Sequence, residues 1–526
     1  MRAGHATRPA GRVAGGIVGL LSAGVALGAG QITAGVIGGA SSPVVAVGGA
    51  AIDLSPGSLK SFAIRTFGTN DKLVLVSGIG VVLAIVAIAL GVRSVHRPRM
   101  GAIGLGLFGA IGVLAAITRP ANGPVDAVPS IAGAAVGYGA YVLLRRSAGL
   151  PPVRWRTRPE PVRRRRDECP PAFDRRRFLL TGAAAADAAA ASAVGGQYLI
   201  RRADASASRA SVRIPAPSDV AAPPPAGADL HLPGLSSFIT PNDEFYRVDT
   251  ALFVPAVDAA SWQLRVHGMV DRELTLTYPQ LLARPLIERD VTLTCVSNQV
   301  GGHYIGNARW IGARLKDVLD EAGVRSGASQ IVTRSADGFT VGTPTAVAMD
   351  GRDAMLAVAM NGSPLPLEHG FPVRMIVPGL YGYVSATKWL VDIELTTFAA
   401  YDAYWVRRGW SQQAPIKTES RIDTPSAFGK LRAGRVPVAG IAWAQHRGIE
   451  RVEVQVDDGP WAAAQLAQQD TIDTWRQWVY PWDASPGRHT LAVRATDGTG
   501  ATQTPVRVDP IPNGATGDHA IVVNVT

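Results

Sequence analysis

The sequence predicts an α-helical transmembrane anchor, then an α+β domain, then an immunoglobulin-like β-sandwich. Three observations lead there. Residues 1–202 hold long apolar stretches without a charge, residues 235–411 mix short strands and helices without strict βαβ alternation, and residues 412–526 alternate strands with tight turns.

Charge and cysteine content narrow the function. The 526 residues carry 52 Lys and Arg against 41 Asp and Glu. Up to position 202 the balance is 24 basic to 8 acidic, which leaves 28 to 33 from position 203 onward. A basic excess confined to loops between apolar segments describes one face of a membrane, so no nucleic acid is expected as a partner. Two cysteines exclude a disulfide scaffold, a four-cysteine zinc module and an iron–sulfur cluster held only by cysteine.

Four stretches lack charge and approach or exceed the roughly 20 residues of a spanning helix: Val13–Gly39, Leu73–Val92, Met100–Ile117 and Ala127–Leu144. Glycine spacings such as Gly15/Gly19 and Gly24/Gly28 suit close helix approach. A fifth segment, Phe178–Ile200, is alanine-rich and carries Asp187. Before it stands Arg175-Arg176-Arg177-Phe178-Leu179, which resembles a twin-arginine signal; the plainer reading is a positive anchor for a helix end. With the N-terminus inside, the inner segments hold eighteen basic residues, twelve of them in the Arg-rich loop 145–177, and the outer loops hold four (Lys60, Arg65, Lys72, Arg119). Five spans then carry residues 201–526 to the outer face. The chain is therefore expected as a multi-pass cell-membrane protein with an extracytoplasmic second half. No span contains a histidine, so no haem is expected in this chain, and the near absence of acids within the spans argues for an anchor rather than a transporter.

Residues 203–234, rich in Ala and Pro, read as a linker. Beyond it, Trp262–Met269 alternates like a strand, Gln280–Ala283 suits a short helix, and Asp290–Cys295 reads as a strand ending at the cysteine. Leu315–Ala322 has helical spacing and stops at Gly323. Strands follow near Gln330–Thr333 and at Val373–Val377. In the last part, Val436–Trp443, Ile449–Val456, Trp475–Tyr480 and His489–Ala495 are strands, separated by turns such as Asp457-Asp458-Gly459.

Cys295 is the one cysteine of this half, before the loop Val296–Gly302. Three roles are open: a small buried hydrophobe, a nucleophile with His303 or His369 as its base, or a thiolate ligand to a soft metal.

Several ordered motifs then carry a resemblance. TLTCVSNQVGG around Cys295, GNARWIGARLKDVLDEAGV (Gly306–Val324), NGSPLPLEHGFPVRMIVPGLYGYVSATKWL (Asn361–Leu390) and TPNDEFYRVDTA (Thr240–Ala251) resemble the sulfite oxidase family of molybdenum enzymes. The resemblance covers roughly residues 235–525. It implies that residues 235–411 are a molybdopterin-binding catalytic domain and that the sandwich resembles the family's dimerisation domain, so that homodimerisation is a family expectation. It also implies that Cys295 ligates molybdenum of a molybdenum–molybdopterin cofactor. Asn242, Phe245, Tyr246, Ser335, His369, Arg374, Ala386, Thr387 and Lys388 fall where the family binds that cofactor. The implied reaction is oxygen-atom transfer on a small sulfur-containing or oxyanion substrate, with electrons exchanged with a separate cytochrome or quinone-linked partner.

Three positions depart from the patterns of the family and its subgroups. The arginine expected five residues after the metal cysteine is Val300, and the early arginine falls one residue sooner, at Arg247. The acid two residues after the cysteine in related sulfoxide reductases is Ser297. These departures predict poor sulfite turnover, and they leave an inactive cofactor-binding scaffold as the alternative function.

Overall fold

The computed structural model describes residues 9–56, 59, 66, 67, 71–118, 123–153, 155, 175–202 and 205–526. It divides into two compact units, Met1–Asp204 with Thr250–Pro255, and Ala205–Asp249 with Ala256–Thr526.

The first unit is helical. Its long helices are α1 (Pro9–Ile37), α3 (Asp71–Ser94), α4 (Pro98–Ile117), α5 (Val128–Ser147) and α6 (Arg175–Arg202), with a shorter α2 (Pro43–Leu54) between the first two. Five helical segments are long and apolar enough to cross a membrane: Gly11–Ile37, Lys72–Ser94, Pro98–Ile117, Pro124–Ser147 and Arg175–Leu199. They coincide with the five apolar stretches of the sequence. Helix α2 falls between the first two of these stretches; at 12 residues and about 1.5 Å per residue it is too short to span. Small residues make the close approaches that the glycine spacing predicts. A side chain at Gly19 would overlap the Ala87 carbonyl on α3, and one at Gly28 would lie 2.9 Å from Ser192 Cβ on α6. The Arg175–Arg177 run forms the first residues of α6. Cys169, Lys60, Arg65, Arg119 and most of the Arg-rich loop lie outside the described residues.

The second unit opens with α7 (Ser206–Ser211) and an extended segment. The proline-rich stretch set apart as a linker packs against the domain that follows. Ser218 and Asp219 donate backbone N–H groups to Leu286 O, the Asp219 carboxylate pairs with Arg289 and Arg314, and Leu230 N–H donates to Gln477 Oε1 at 2.7 Å. Proline suits such an edge-following segment because its backbone needs few donors.

Two sheets build the α+β part. One has β1 (Gln263–Gly268), β2 (Leu274–Thr277), β5 (Gln330–Ser335), β6 (Thr340–Pro344) and β10 (Leu390–Thr396) in the order β2-β1-β10-β5-β6. The other has β3 (Leu286–Thr294), β4 (Ile305–Arg314), β7 (Met355–Met360) and β8 (Ser363–Pro364), with β9 (Arg374–Ile376) also on β7. Among the strand pairs of these two sheets only β1–β10 is parallel, as expected of a chain without βαβ alternation. Helices α8 (Tyr278–Leu282), α9 (Leu315–Ala322) and α10 (Thr345–Ala348) cover them. Helix α9 buries Leu315, Val318, Leu319 and Ala322 along one stripe and ends at Gly323, whose φ of 70° needs a residue without a Cβ.

The C-terminal part has two sheets around a second core. One orders β11 (Glu419–Thr424), β13 (Gly434–Trp443), β17 (Arg476–Ala484) and β16 (Gln465–Leu466) as β11-β13-β17-β16. The other orders β12 (Lys430–Leu431), β19 (His519–Val525), β18 (Gly487–Asp497), β14 (Ile449–Val456) and β15 (Ala462–Ala463) as β12-β19-β18-β14-β15. Val438, Ala442, Trp478, Leu491 and Val523 fill the space between them. The opposite face of the first sheet joins the α+β core through Ile441, Trp443 and Trp475. Strand β3 is an edge strand, and this sheet covers it: Thr292 N–H donates to Asp473 O, and Gln445 Nε2 donates to Thr292 O and Thr294 Oγ1 at 3.0 Å each.

Candidate active site

Cys295 follows β3 directly. Its N–H donates to Tyr304 O at 2.9 Å, and its carbonyl accepts Asn298 N–H at 3.0 Å, closing a turn that directs the side chain out of the sheet. The thiol is half-buried and lies 3.0 Å from Ser297 Oγ. Burial pushes the thiol pKa up, while the Ser297 hydrogen bonds and the nearby Lys388 ammonium oppose that rise. Neither histidine serves as its base. His369 Nε2 faces the Asn242 carbonyl at 3.0 Å, and His303 sits among Arg421, Asp423 and His519.

Around the thiol the chain gathers residues from four segments. Asn242 accepts from Asn361 Nδ2 at 2.8 Å and donates to Met360 O at 3.4 Å, which ties the 240–249 segment to the end of β7. Phe245 is buried, stacked on Tyr246 (ring centroids 5.2 Å) and edge-on to Trp310 and His369. Tyr246 and Tyr381 both lie within electrostatic reach of Cys295, and burial raises both phenol pKa values.

The HGFPVR element supplies a buried cation. Arg374 lies over Trp310, its guanidinium carbon 5.0 Å from the ring centre, and donates to His369 O at 3.2 Å. Its Nε has no protein partner, and among the described residues no carboxylate pairs with it. Burial lowers its pKa to about 10. His369 is depressed to about 4 by burial first and by Arg374 second, so its imidazole is neutral at pH 7. Because Nε2 faces a carbonyl it must carry the proton, which leaves Nδ1 as an acceptor.

The triplet before Trp389 completes the set. Ala386 N–H donates to Gly382 O, and Thr387 joins Thr333 by a 2.5 Å hydroxyl contact. Lys388 donates to Asp249 at 2.7 Å and to Glu368 O at 3.1 Å above the Trp389 ring. Burial brings the ammonium pKa down to about 8, with Asp249 opposing. Trp389 takes a left-handed φ of 51°, rare for a bulky residue, and its Nε1–H is tied to Leu367 O at 2.8 Å. Gly370 has φ 110°, and a Cβ there would lie 3.0 Å from Lys388 Cα and 3.1 Å from Arg374 Cβ. Ser335 is placed by the β5–β10 pairing opposite Leu390, and its buried Oγ has no partner.

The leftover capacity is specific. Arg374 Nε, Ser335 Oγ and Asn298 Nδ2 are buried polar atoms without partners, and the Arg374 guanidinium has no carboxylate beside it among the described residues. Buried polar groups are normally satisfied and buried cations paired. A phosphate-bearing pterin with oxygen and nitrogen on its rim fits that donor set, and a thiol without a base suits a soft metal better than nucleophilic catalysis.

Comparison with known proteins follows the same line. Residues 251–405 match the oxidoreductase molybdopterin binding domain. Over 153 residues the chain is 34% identical to the oxidoreductase YuiH of Bacillus subtilis, covering 29% of this chain and 74% of that protein. It is 32% identical over 289 residues to the mitochondrial sulfite oxidase of Rattus norvegicus, covering 46% of this chain and 52% of the rat protein. The chain belongs to the sulfite oxidase family of molybdopterin oxidoreductases. It spans about half the length of the mammalian members it matches. The sulfane dehydrogenase SoxCD of Paracoccus pantotrophus aligns in structure at 22% identity and a TM-score of 0.48, covering 55% of this chain and 84% of that one. Asn242, Phe245 and Tyr246 lie outside the matched domain; the structure sets Tyr246 near Cys295 and Arg374 with Phe245 stacked on it, and ties Asn242 to Asn361 and His369. Sequence reasoning missed Trp310, Tyr381, Asn298 and Asp249: each stands inside one of the quoted motifs, but its partner lies elsewhere in the chain and consecutive residues do not reveal it.

Proposed function

We propose that this chain is a membrane-anchored molybdenum oxidoreductase. Residues 203–526 would act at the outer face of the membrane on a small sulfur-containing or oxyanion substrate. Electrons would pass to or from a separate cytochrome or quinone-linked partner. One observation carries the reading: the Arg374 guanidinium is buried with no carboxylate among the described residues, and it shares two neighbours, Tyr246 and Lys388, with the free Cys295.

In this reading Cys295 is the metal's protein ligand, and Asn242, Phe245, Tyr246, Ser335, His369, Arg374, Ala386, Thr387 and Lys388 hold the pterin. The bound group supplies two-electron oxygen-atom transfer, with water as the source or sink of oxygen. The protein supplies position and charge. Arg374 presents a planar fork suited to phosphate oxygens, already oriented by Trp310. Neutral His369, fixed by the Asn242 carbonyl, offers Nδ1 as an acceptor. Phe245 and Tyr246 form an apolar wall that keeps water from the thiol side.

The same geometry bears on substrate. Arg247 does not stand in for the arginine missing at Val300: its Nε is paired with Asp249 at 2.8 Å, and Asp249 also receives Lys388. A carboxylate shared by two cations leaves less positive field for an anionic substrate. The test is the Cys295→Ser variant of the full chain, expressed with cofactor. Activity with the best substrate should fall greatly with little loss of fold, and normal turnover would remove the proposal.

A further inference from the structure

The face of the C-terminal sheet turned toward the active site holds an acid that the mechanism above leaves idle. Glu419 on β11 pairs in register with Trp443 on β13, and Arg421 with Ile441. These four side chains share one face. Ile441 and Trp443 lie in the α+β core, and Arg421 donates to Gly302 O at 2.6 Å in the loop after Cys295. Glu419 therefore points toward the catalytic domain. It is buried, and its Oε1 has no partner.

Two further unpartnered atoms accompany it on that side: Trp443 Nε1 and Gln445 Oε1. Gln445 reaches Thr294, the residue before Cys295. A carboxyl oxygen, an indole N–H and an amide oxygen left over together form a polar strip inside a core, the kind of site that polar interiors hydrate. Tyr381 joins the strip to the thiol. Fully buried, it donates its N–H to Ala414 O at 2.9 Å, its hydroxyl lies against Gly514, and a Cβ on the next residue, Gly382, would lie 3.7 Å from Thr294 O; its phenol also interacts electrostatically with Cys295 and Glu419. Lys417 is half-exposed, with Nζ donating to Gly514 O at 2.6 Å and to Asn513 Oδ1 at 3.0 Å.

Resting on the function proposed above, we propose that Glu419 carries protons between the Cys295 site and solvent at Lys417, with the Tyr381 hydroxyl as the bridge. Oxygen-atom transfer from water to a substrate X gives XO, two protons and two electrons, and the reverse reaction consumes them. The electrons go one at a time to an external acceptor such as ferricyanide, so the protons need a route whichever way the reaction runs. A carboxyl can carry each one as a transient O–H, accepting it on the Tyr381 side and releasing it on the Lys417 side. Burial lifts the Glu419 pKa to about 8, opposed by Lys417, which lets it exchange protons near neutral pH. An ionised carboxylate without a partner would be a poor tenant of this core, whereas a protonated one fits.

The experiment compares full-length, cofactor-loaded wild type with Glu419→Gln. The variant should match wild type in molybdenum content, pterin fluorescence and KM. Its kcat should fall about tenfold to a hundredfold, and the limb of the pH profile near 8 should vanish. Infrared spectroscopy should show a protonated carboxylic acid in wild type that ionises as pH rises through about 8 and is missing from the variant. Glu419→Asp, which keeps the acid, should restore the limb and guards against a folding defect in the first variant. A loaded Glu419→Gln protein with wild-type kcat and an intact limb overturns the relay, as does a wild type without that infrared band. Wild type that binds no molybdenum sinks the proposed function and the relay together, whereas a loaded wild type matched by its variant sinks the relay alone.

Discussion

Replacing Arg374 by Met should separate cofactor binding from fold stability, because the two effects have opposite origins. In the cofactor-free protein the guanidinium is buried with no carboxylate beside it among the described residues. Its pKa drops to about 10, which at about 1.4 kcal/mol per pH unit is a penalty of roughly 3 kcal/mol from the ordinary arginine value. For a cation with a lowered folded-state pKa, that penalty is fully present below pH 10 and is relieved only above it. Against it stand the contact with Trp310, about 1–2 kcal/mol, and the hydrogen bond to the His369 carbonyl, about 1 kcal/mol. Methionine keeps the stem over Trp310. The cofactor-free variant should therefore unfold within about 1 kcal/mol of the parent. Binding is another matter. Two charge-assisted hydrogen bonds to a phosphate, each about 1.5–3 kcal/mol, predict a loss of roughly 3–6 kcal/mol, or about a hundredfold to ten-thousandfold in affinity. Thermal unfolding of both cofactor-free proteins, and pterin fluorescence retained after dialysis, measure the two quantities. A variant that loses more than about 3 kcal/mol of stability yet holds the pterin as tightly as the parent would refute the reasoning, since Arg374 would then be a structural group.

Three further outcomes follow from the same site. His369 titrates near pH 4 in the folded chain against an ordinary 6.5; between those values the unfolded chain binds more protons, so stability should fall as pH drops through that window. The fall should be shallower in His369→Gln, as unfolding measured at pH 7, 5.5 and 4 would reveal. Gly370→Ala introduces a Cβ at φ 110°, 3.0 Å from Lys388 Cα, and should lower stability by about 1–3 kcal/mol with parallel loss of pterin. Sulfite-dependent ferricyanide reduction should be slow, since Val300 supplies no cation and Arg247 is held by Asp249; a rate as fast as in known sulfite oxidases would contradict that.

How much of this was legible in the sequence depended on distance along the chain. The Cys295 strand, helix Leu315–Ala322 and the HGFPVR element could be read because their signals are local: alternation, a glycine stop, a motif of consecutive residues. Four strands of the C-terminal sheets were visible for the same reason. The pairing of Lys388 with Asp249 spans 139 positions, and that of Arg421 with Gly302 spans 119. Nothing in composition marks such partners. Helix α2 escaped because a 12-residue apolar segment gives too few turns to stand out from a loop. The proline-rich stretch looked like a linker because its prolines exclude helix, yet its backbone and Asp219 bond along strand β3. Nothing in the sequence sets Glu419 apart from other acids, and only the register with Trp443 reveals which way it faces.

X-ray absorption at the molybdenum edge, on cofactor-loaded wild type and on Cys295→Ser, addresses the central assignment without needing a substrate. The metal in wild type should show one more sulfur neighbour than in the variant, with pterin content the same in both. Equal sulfur counts in the two proteins, or a wild type without molybdenum, would contradict the assignment of Cys295 as the ligand on which this account stands.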